Sequence, residues 1–175
     1  MLEHCLIKDN SVGDDALHIS YSTGEVSHCK FENTAFDALD MDIVQVTVSD
    51  SQFFNIGNDA LDIMTSKVAI NNVSIEGAGD KCYSLGEDSE VTIRHSQLYN
   101  CHTGIAVKDQ STAYIENLKF GEIQDSAIAL YQKNPRYGAG GEINGKQLYG
   151  LTKKDIVVSE GSKNHISADA FVTND

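Results

Sequence analysis

The chain has 175 residues and a formal net charge of −13, from 26 acidic and 13 basic side chains. Only Arg94 and Arg136 are arginines, so no surface for a phosphate backbone is available and nucleic acid is excluded as a partner. A hydrophobic content of 41%, one proline and 14 glycines describe a chain that folds, neither disordered nor collagen-like, at a length that fits one domain.

From the N-terminus, Met1-Leu2-Glu3-His4-Cys5 has neither the basic nor the apolar region of a signal peptide, and no later apolar run reaches the length of a membrane span. Residues 1–66 hold twelve carboxylates against Lys8 and Lys30, whereas residues 67–175 hold fourteen against eleven basic side chains. The negative field belongs to the first third and points to a cation, a cationic partner or carboxylate chemistry there.

Self-similarity organises the rest. Asp15-Ala16-Leu17-His18-Ile19 recurs 22 residues later as Asp37-Ala38-Leu39-Asp40-Met41, and after another 22 as Asp59-Ala60-Leu61-Asp62-Ile63. The register continues through Lys81-Cys82-Tyr83-Ser84-Leu85, Thr103-Gly104-Ile105-Ala106-Val107 and Ser126-Ala127-Ile128-Ala129-Leu130, giving six visible copies. A second column runs Val26, Val48, Ile70, Ile93, Ile115, and five residues on a third runs Phe31, Phe53, Ile75, Leu98, Phe120. The turn after the third column carries Asn33, Asn55, Gly77, Asn100 and Glu122, and asparagine both tolerates left-handed backbone and can bond to its stacked neighbour. Apolar residues alternate within each copy, which predicts short strands. Strands repeated at fixed length bury a core only by stacking, so the expected fold is all-β, a parallel β-helix of about six to seven coils of 22–23 residues. The coils span 1–131, and 132–175 reads as an irregular loop at Gly138-Ala139-Gly140-Gly141, a strand pair over 142–149, and a last coil that caps the end of the same domain. Without a capping segment before the first copy, the chain is expected to be part of a longer polypeptide. Cys5, Cys29, Cys82 and Cys101 lack CxxC or metal-finger spacing and are expected as buried apolar residues.

Over residues 4–144 these columns resemble the right-handed parallel β-helix proteins of the pectin-lyase-like superfamily. Gly79-Asp80-Lys81, Gly86-Glu87-Asp88-Ser89 and the run from Gly104 to Ser111 look like a bacterial subgroup of unassigned role. The resemblance implies a right-handed coil and a secreted, cell-surface or periplasmic protein that binds or acts on polysaccharide.

With Leu17 and Ile19 inward, His18 points out, and its column continues through Asp40, Asp62, Ser84, Ala106 and Ala129. The preceding turn stacks Asp15, Asp37, Asp59, Lys81, Thr103 and Ser126. Unit charges about 4.8 Å apart repel by about 1 kcal/mol in water and about 3–4 kcal/mol at an effective dielectric of 20, so something offsets these ladders. One offset is solvent, turn N–H groups and Lys81. A second is a hard cation: Asp37, Asp40, Asp59 and Asp62 supply the oxygen donors that Ca²⁺ favours. A third is catalysis by Asp14, Asp15 and Asp37, since crowded carboxylates separate into an acid and a base. Asp37-Ala38-Leu39-Asp40 and Gly13-Asp14-Asp15 look like the two aspartate motifs of polygalacturonases, in reversed order and without a Gly-His-Gly motif. His18, Lys81 and Lys108 are the candidates for substrate contacts, and Lys81, Lys108 and Arg94 for the base of a uronate lyase. As plain surface cations, Lys81 would pair with Asp59 or Asp80, Lys108 with Glu87 or Asp109, and Arg94 with Glu116. The expected function is an exported carbohydrate-binding or structural module of a larger protein, with a uronate lyase or glycoside hydrolase as the alternative.

Overall fold

A computed structural model describes residues 1–172. Nineteen strands form one continuous ladder in which neighbouring turns pair in parallel, and the chain winds as a right-handed solenoid of about 8 turns. Three faces result. The first runs through Thr23–Ser27, Gln45–Ser49, Lys67–Asn71, Glu90–Arg94 and the start of Thr112–Gly121. The second runs through Lys30–Thr34, Gln52–Ile56 and the beginnings of Ser74–Gly86 and Gln97–Lys108. The third runs through Asp15–Ser20, Asp37–Asp42, Leu61–Met64, the ends of Ser74–Gly86 and Gln97–Lys108, then Ser126–Tyr131 and Ile156–Val158.

The repeat columns are the core. Val26, Val48, Ile70, Ile93 and Ile115 stand in register on the first face, and Phe31, Phe53, Ile75, Leu98 and Phe120 on the second. All ten are buried. Identical side chains one turn apart meet face to face, as Phe31 and Phe53 do with ring centroids 4.6 Å apart and planes 4° from parallel.

Polar corners fix the spacing. Asn33, Asn55 and Asn100 adopt φ of 53–55°, with Gly77 at 86°, and Asn55 Nδ2 donates to Asn33 Oδ1 at 2.9 Å. At another corner the backbone N–H groups of Val44, Ser66 and Ser89 donate to the hydroxyls of Ser66, Ser89 and Ser111 on the turn above, at 2.9, 3.1 and 3.1 Å.

Two expectations change. The coil count rises because the ladder persists where the sequence period fades. Glu142–Tyr149 pairs in parallel with Thr112–Gly121, and Ile156–Val158 with Ser126–Tyr131. The four cysteines are two disulfides, Cys5–Cys29 and Cys82–Cys101, with Cα atoms 4.6 and 6.0 Å apart. Sequence separations of 24 and 19 approach one turn of the coil, which brings each pair onto neighbouring turns. Among the described residues no helix is long and apolar enough to cross a membrane.

Candidate functional site

The third face carries the acidic ladders. Its register places His18 beside Asp40, Asp40 beside Asp62, and Asp62 beside Ser84, one turn apart each time. The inward neighbours Leu39, Met41, Leu61 and Ile63 are fully buried, so the strand cannot slip, and the pleat forces the polar residues between them outward.

Two clusters result. Asp37, Asp59 and Asp62 bring one carboxylate oxygen each within 4.8 Å of the others. Asp15, His18 and Asp40 do the same one turn earlier, with His18 Nε2 at 3.7 Å from Asp40 and 3.1 Å from Asp42. Asp40 therefore stands in the lower cluster, while the other three expected Ca²⁺ ligands share the upper one. Asp14 is exposed beside Asp15, and Asp15 stands in register with Asp37 one turn on, so the three expected catalytic acids lie on two neighbouring turns.

The upper cluster is half satisfied by its own backbone. Asp37 Oδ1 accepts from Asn58 Nδ2 at 2.7 Å and from the Asp59 N–H at 2.8 Å. Asp59 Oδ1 repeats this one turn up, accepting from the Lys81 N–H at 2.9 Å and from Lys81 Nζ at 3.4 Å. Asp62 Oδ1 accepts from the Ile63 N–H at 3.1 Å. Among the described residues the Oδ2 atoms of Asp37, Asp59 and Asp62 accept no hydrogen bond, which leaves their lone pairs available to a cation, although Lys81 already pairs with the Asp59 carboxylate. Lys81 also pairs with Asp80, which joins both expected partners to one ammonium group.

Burial and crowding act together on these acids. Burial, then the charges of Asp42, Asp15 and Asp62, push Asp40 up from 3.8 to about 7 against the opposing pull of His18. Burial raises Asp59 to about 6, with Lys81 opposing and Asp62 and Asp37 reinforcing. Asp15 and Asp37 are raised as well, again chiefly by burial.

Lys108 departs from a surface cation. It is only 6% exposed, and its Nζ donates to Ser84 Oγ at 2.7 Å instead of pairing with Glu87 or Asp109. One turn below, a Cβ on Gly86 would stand 3.3 Å from Lys108 Cε, so the lysine stem packs over the bare glycine. Burial holds the Lys108 amine below its ordinary pKa, and the charge of Asp62 draws it partly back. Asp109 is buried and accepts the N–H groups of Lys133 and Asn134 at 2.7 and 2.8 Å, pinning the loop after Tyr131 beside this lysine. Arg94 sits on the first face and pairs with Glu116 at 3.3 Å, away from the acidic clusters. Sequence reading placed Ser84 in the column of Asp40 and Asp62 without giving it the role of partner to Lys108, and it missed Asp42, which pairs with His18.

A family model described as a right handed beta helix region matches residues 2–171. No curated protein and no solved structure matches the chain.

Proposed function

We propose, taking as premise that the chain belongs to the right-handed β-helix family, that it is an exported carbohydrate-binding module whose acidic face holds Ca²⁺ and through it an anionic polysaccharide. The observation that carries this reading is the convergence of Asp37, Asp59 and Asp62 within 4.8 Å, each with Oδ1 tied to a backbone N–H and Oδ2 free. Tied carboxylates are pre-oriented, and a set made only of oxygens suits a hard cation, which keeps water or ligand oxygens in its remaining positions. Lys81 stands at the edge of the cluster, its amine 3.4 Å from Asp59 Oδ1, where it would lie beside both the cation and a uronate carboxylate. Export is supported by the two disulfides, which persist in oxidising compartments.

The test is a thermal melt at pH 7.5 with and without millimolar Ca²⁺. Saturation at about 100 times the dissociation constant adds about 2.7 kcal/mol, or about 5–10 °C for a chain of this size. Asp37→Asn/Asp59→Asn should lose that increment, together with Ca²⁺-dependent retardation of the protein in gels containing pectate or alginate. An unchanged wild-type melt removes the metal from the reading, and equal mobility in every gel removes the polysaccharide.

A second reading, uronate lyase, is favoured by Lys108, a buried amine held below its ordinary pKa and so closer to the neutral base that proton abstraction needs. Absorbance of unsaturated product on a uronate panel, present in wild type and absent in Lys108→Met, would establish it. Absence of product on every substrate leaves the binding module.

A further inference from the structure

We propose that Glu3, His4 and His28 form a second metal site, selective for a borderline divalent ion of the Zn²⁺, Cu²⁺ or Ni²⁺ type, at a corner of the solenoid away from the acidic face. One ligand atom from each of the three lies within 4.8 Å of the others. The imidazoles of His4 and His28 stand one above the other with centroids 4.9 Å apart and planes tilted by 35°, and His4 Nε2 is 3.4 Å from Glu3 Oε1.

The arrangement is held by the backbone. Both histidines occupy left-handed corners at φ 52°, and their N–H groups donate to Ser27 O at 3.1 Å and Ser49 O at 3.2 Å, the same bond one turn apart. The residue after each histidine is a cysteine, and Cys5 and Cys29 are joined with their Cα atoms 4.6 Å apart. A covalent link one residue from each ring fixes the distance between the two turns where the rings project.

On the next turns of this corner Asp50, Asn72 and His95 are partnered. Asn72 Nδ2 donates to Asp50 Oδ1 at 2.6 Å, and His95 Nδ1 bonds Asn71 Oδ1 at 2.9 Å. The His28 ring has no hydrogen-bond partner among the described residues, and the His4 ring has only Glu3. Two imidazole nitrogens and a carboxylate are the donor set that borderline metals prefer, and three protein ligands leave a coordination position open to water or an external donor. Calcium, which takes oxygens, is served poorly here and well on the acidic face, so the two sites separate by metal type.

The experiment is calorimetric titration of the metal-free full chain with Zn²⁺, joined to electron paramagnetic resonance of the Cu²⁺ form. One equivalent should bind, with nitrogen coupling from imidazole in the Cu²⁺ spectrum. His4→Asn and His28→Asn, which keep a residue suited to left-handed backbone, should each weaken Zn²⁺ by about tenfold or more, and the double variant should abolish binding and nitrogen coupling at an unchanged melting temperature in the absence of metal. His95→Asn should bind as wild type does. Failure of the wild type to bind, binding that survives the double variant, or binding lost instead in His18→Asn would each overturn the assignment.

Discussion

Asp40 and Asp59 decide how the protein responds to pH. Their folded pKa values, about 7 and about 6, lie above the ordinary 3.8, so between pH 4 and pH 7 the folded chain keeps protons that the unfolded chain has lost. Stability from these groups is therefore full below about pH 4 and falls as pH rises through that window. Asp40→Asn removes the largest share. The Asp40 side chain retains 18% of its exposure, and after solvent screening the gain expected at pH 7.5 is about 1–2 kcal/mol, with a flatter melting profile from pH 5 to 7.5. A variant whose profile overlays the wild type would show that the crowding is relieved by another route. The opposite trend, destabilisation on protonation, is expected once Ca²⁺ occupies the upper cluster, because the ion needs ionised ligands.

At the scale of the strand and its corners, the sequence is readable where residue type matches conformation and opaque where it does not. Asn33, Asn55 and Asn100 announce left-handed turns, and the structure has them there. Tyr21, Ile43 and Thr65 form an equivalent corner at φ 49–56°, which strand-favouring residues conceal. A β-branched side chain in this region carries an energy penalty, and Ile43 is 42% exposed, so it returns little by packing. Ile43→Asn keeps the N–H bond to Met64 O at 3.0 Å and should stabilise the protein by about 1 kcal/mol in denaturant melts. An equal or lower midpoint would mean that Ile43 contributes contacts its exposure does not suggest. Lys108 was hidden for a related reason. Its stem packs over Gly86, a residue that register alone brings beneath it.

For the molecule as a whole, the period gave the columns, the faces and the outward acidic ladders, because stacking at a fixed length leaves each position one neighbour above and one below. The continuation beyond Tyr131 was less legible, since an inserted loop resets the register before Glu142. The disulfides were illegible without a coil count, as neither follows a short cysteine motif. In a repeat architecture each cross-link fastens only adjacent turns. Reduction should cost about 2–4 kcal/mol per bridge, read as a lower melting temperature in dithiothreitol, with the larger loss of parallel-strand circular dichroism when the fully buried Cys82–Cys101 is opened in Cys82→Ala/Cys101→Ala. Equal melts with and without reductant would mean that stacking alone sets the stability.

The uneven charge of the chain acquires a direction once the coils are stacked. About eight turns at about 4.8 Å make a rod of about 38 Å, several times the screening length of about 8 Å at physiological salt. The acidic turns and the far end are thus electrically independent, and the molecule behaves as a polarised needle. Toward any cationic surface the field turns the molecule so that the turns of Asp15, Asp37 and Asp59 lead.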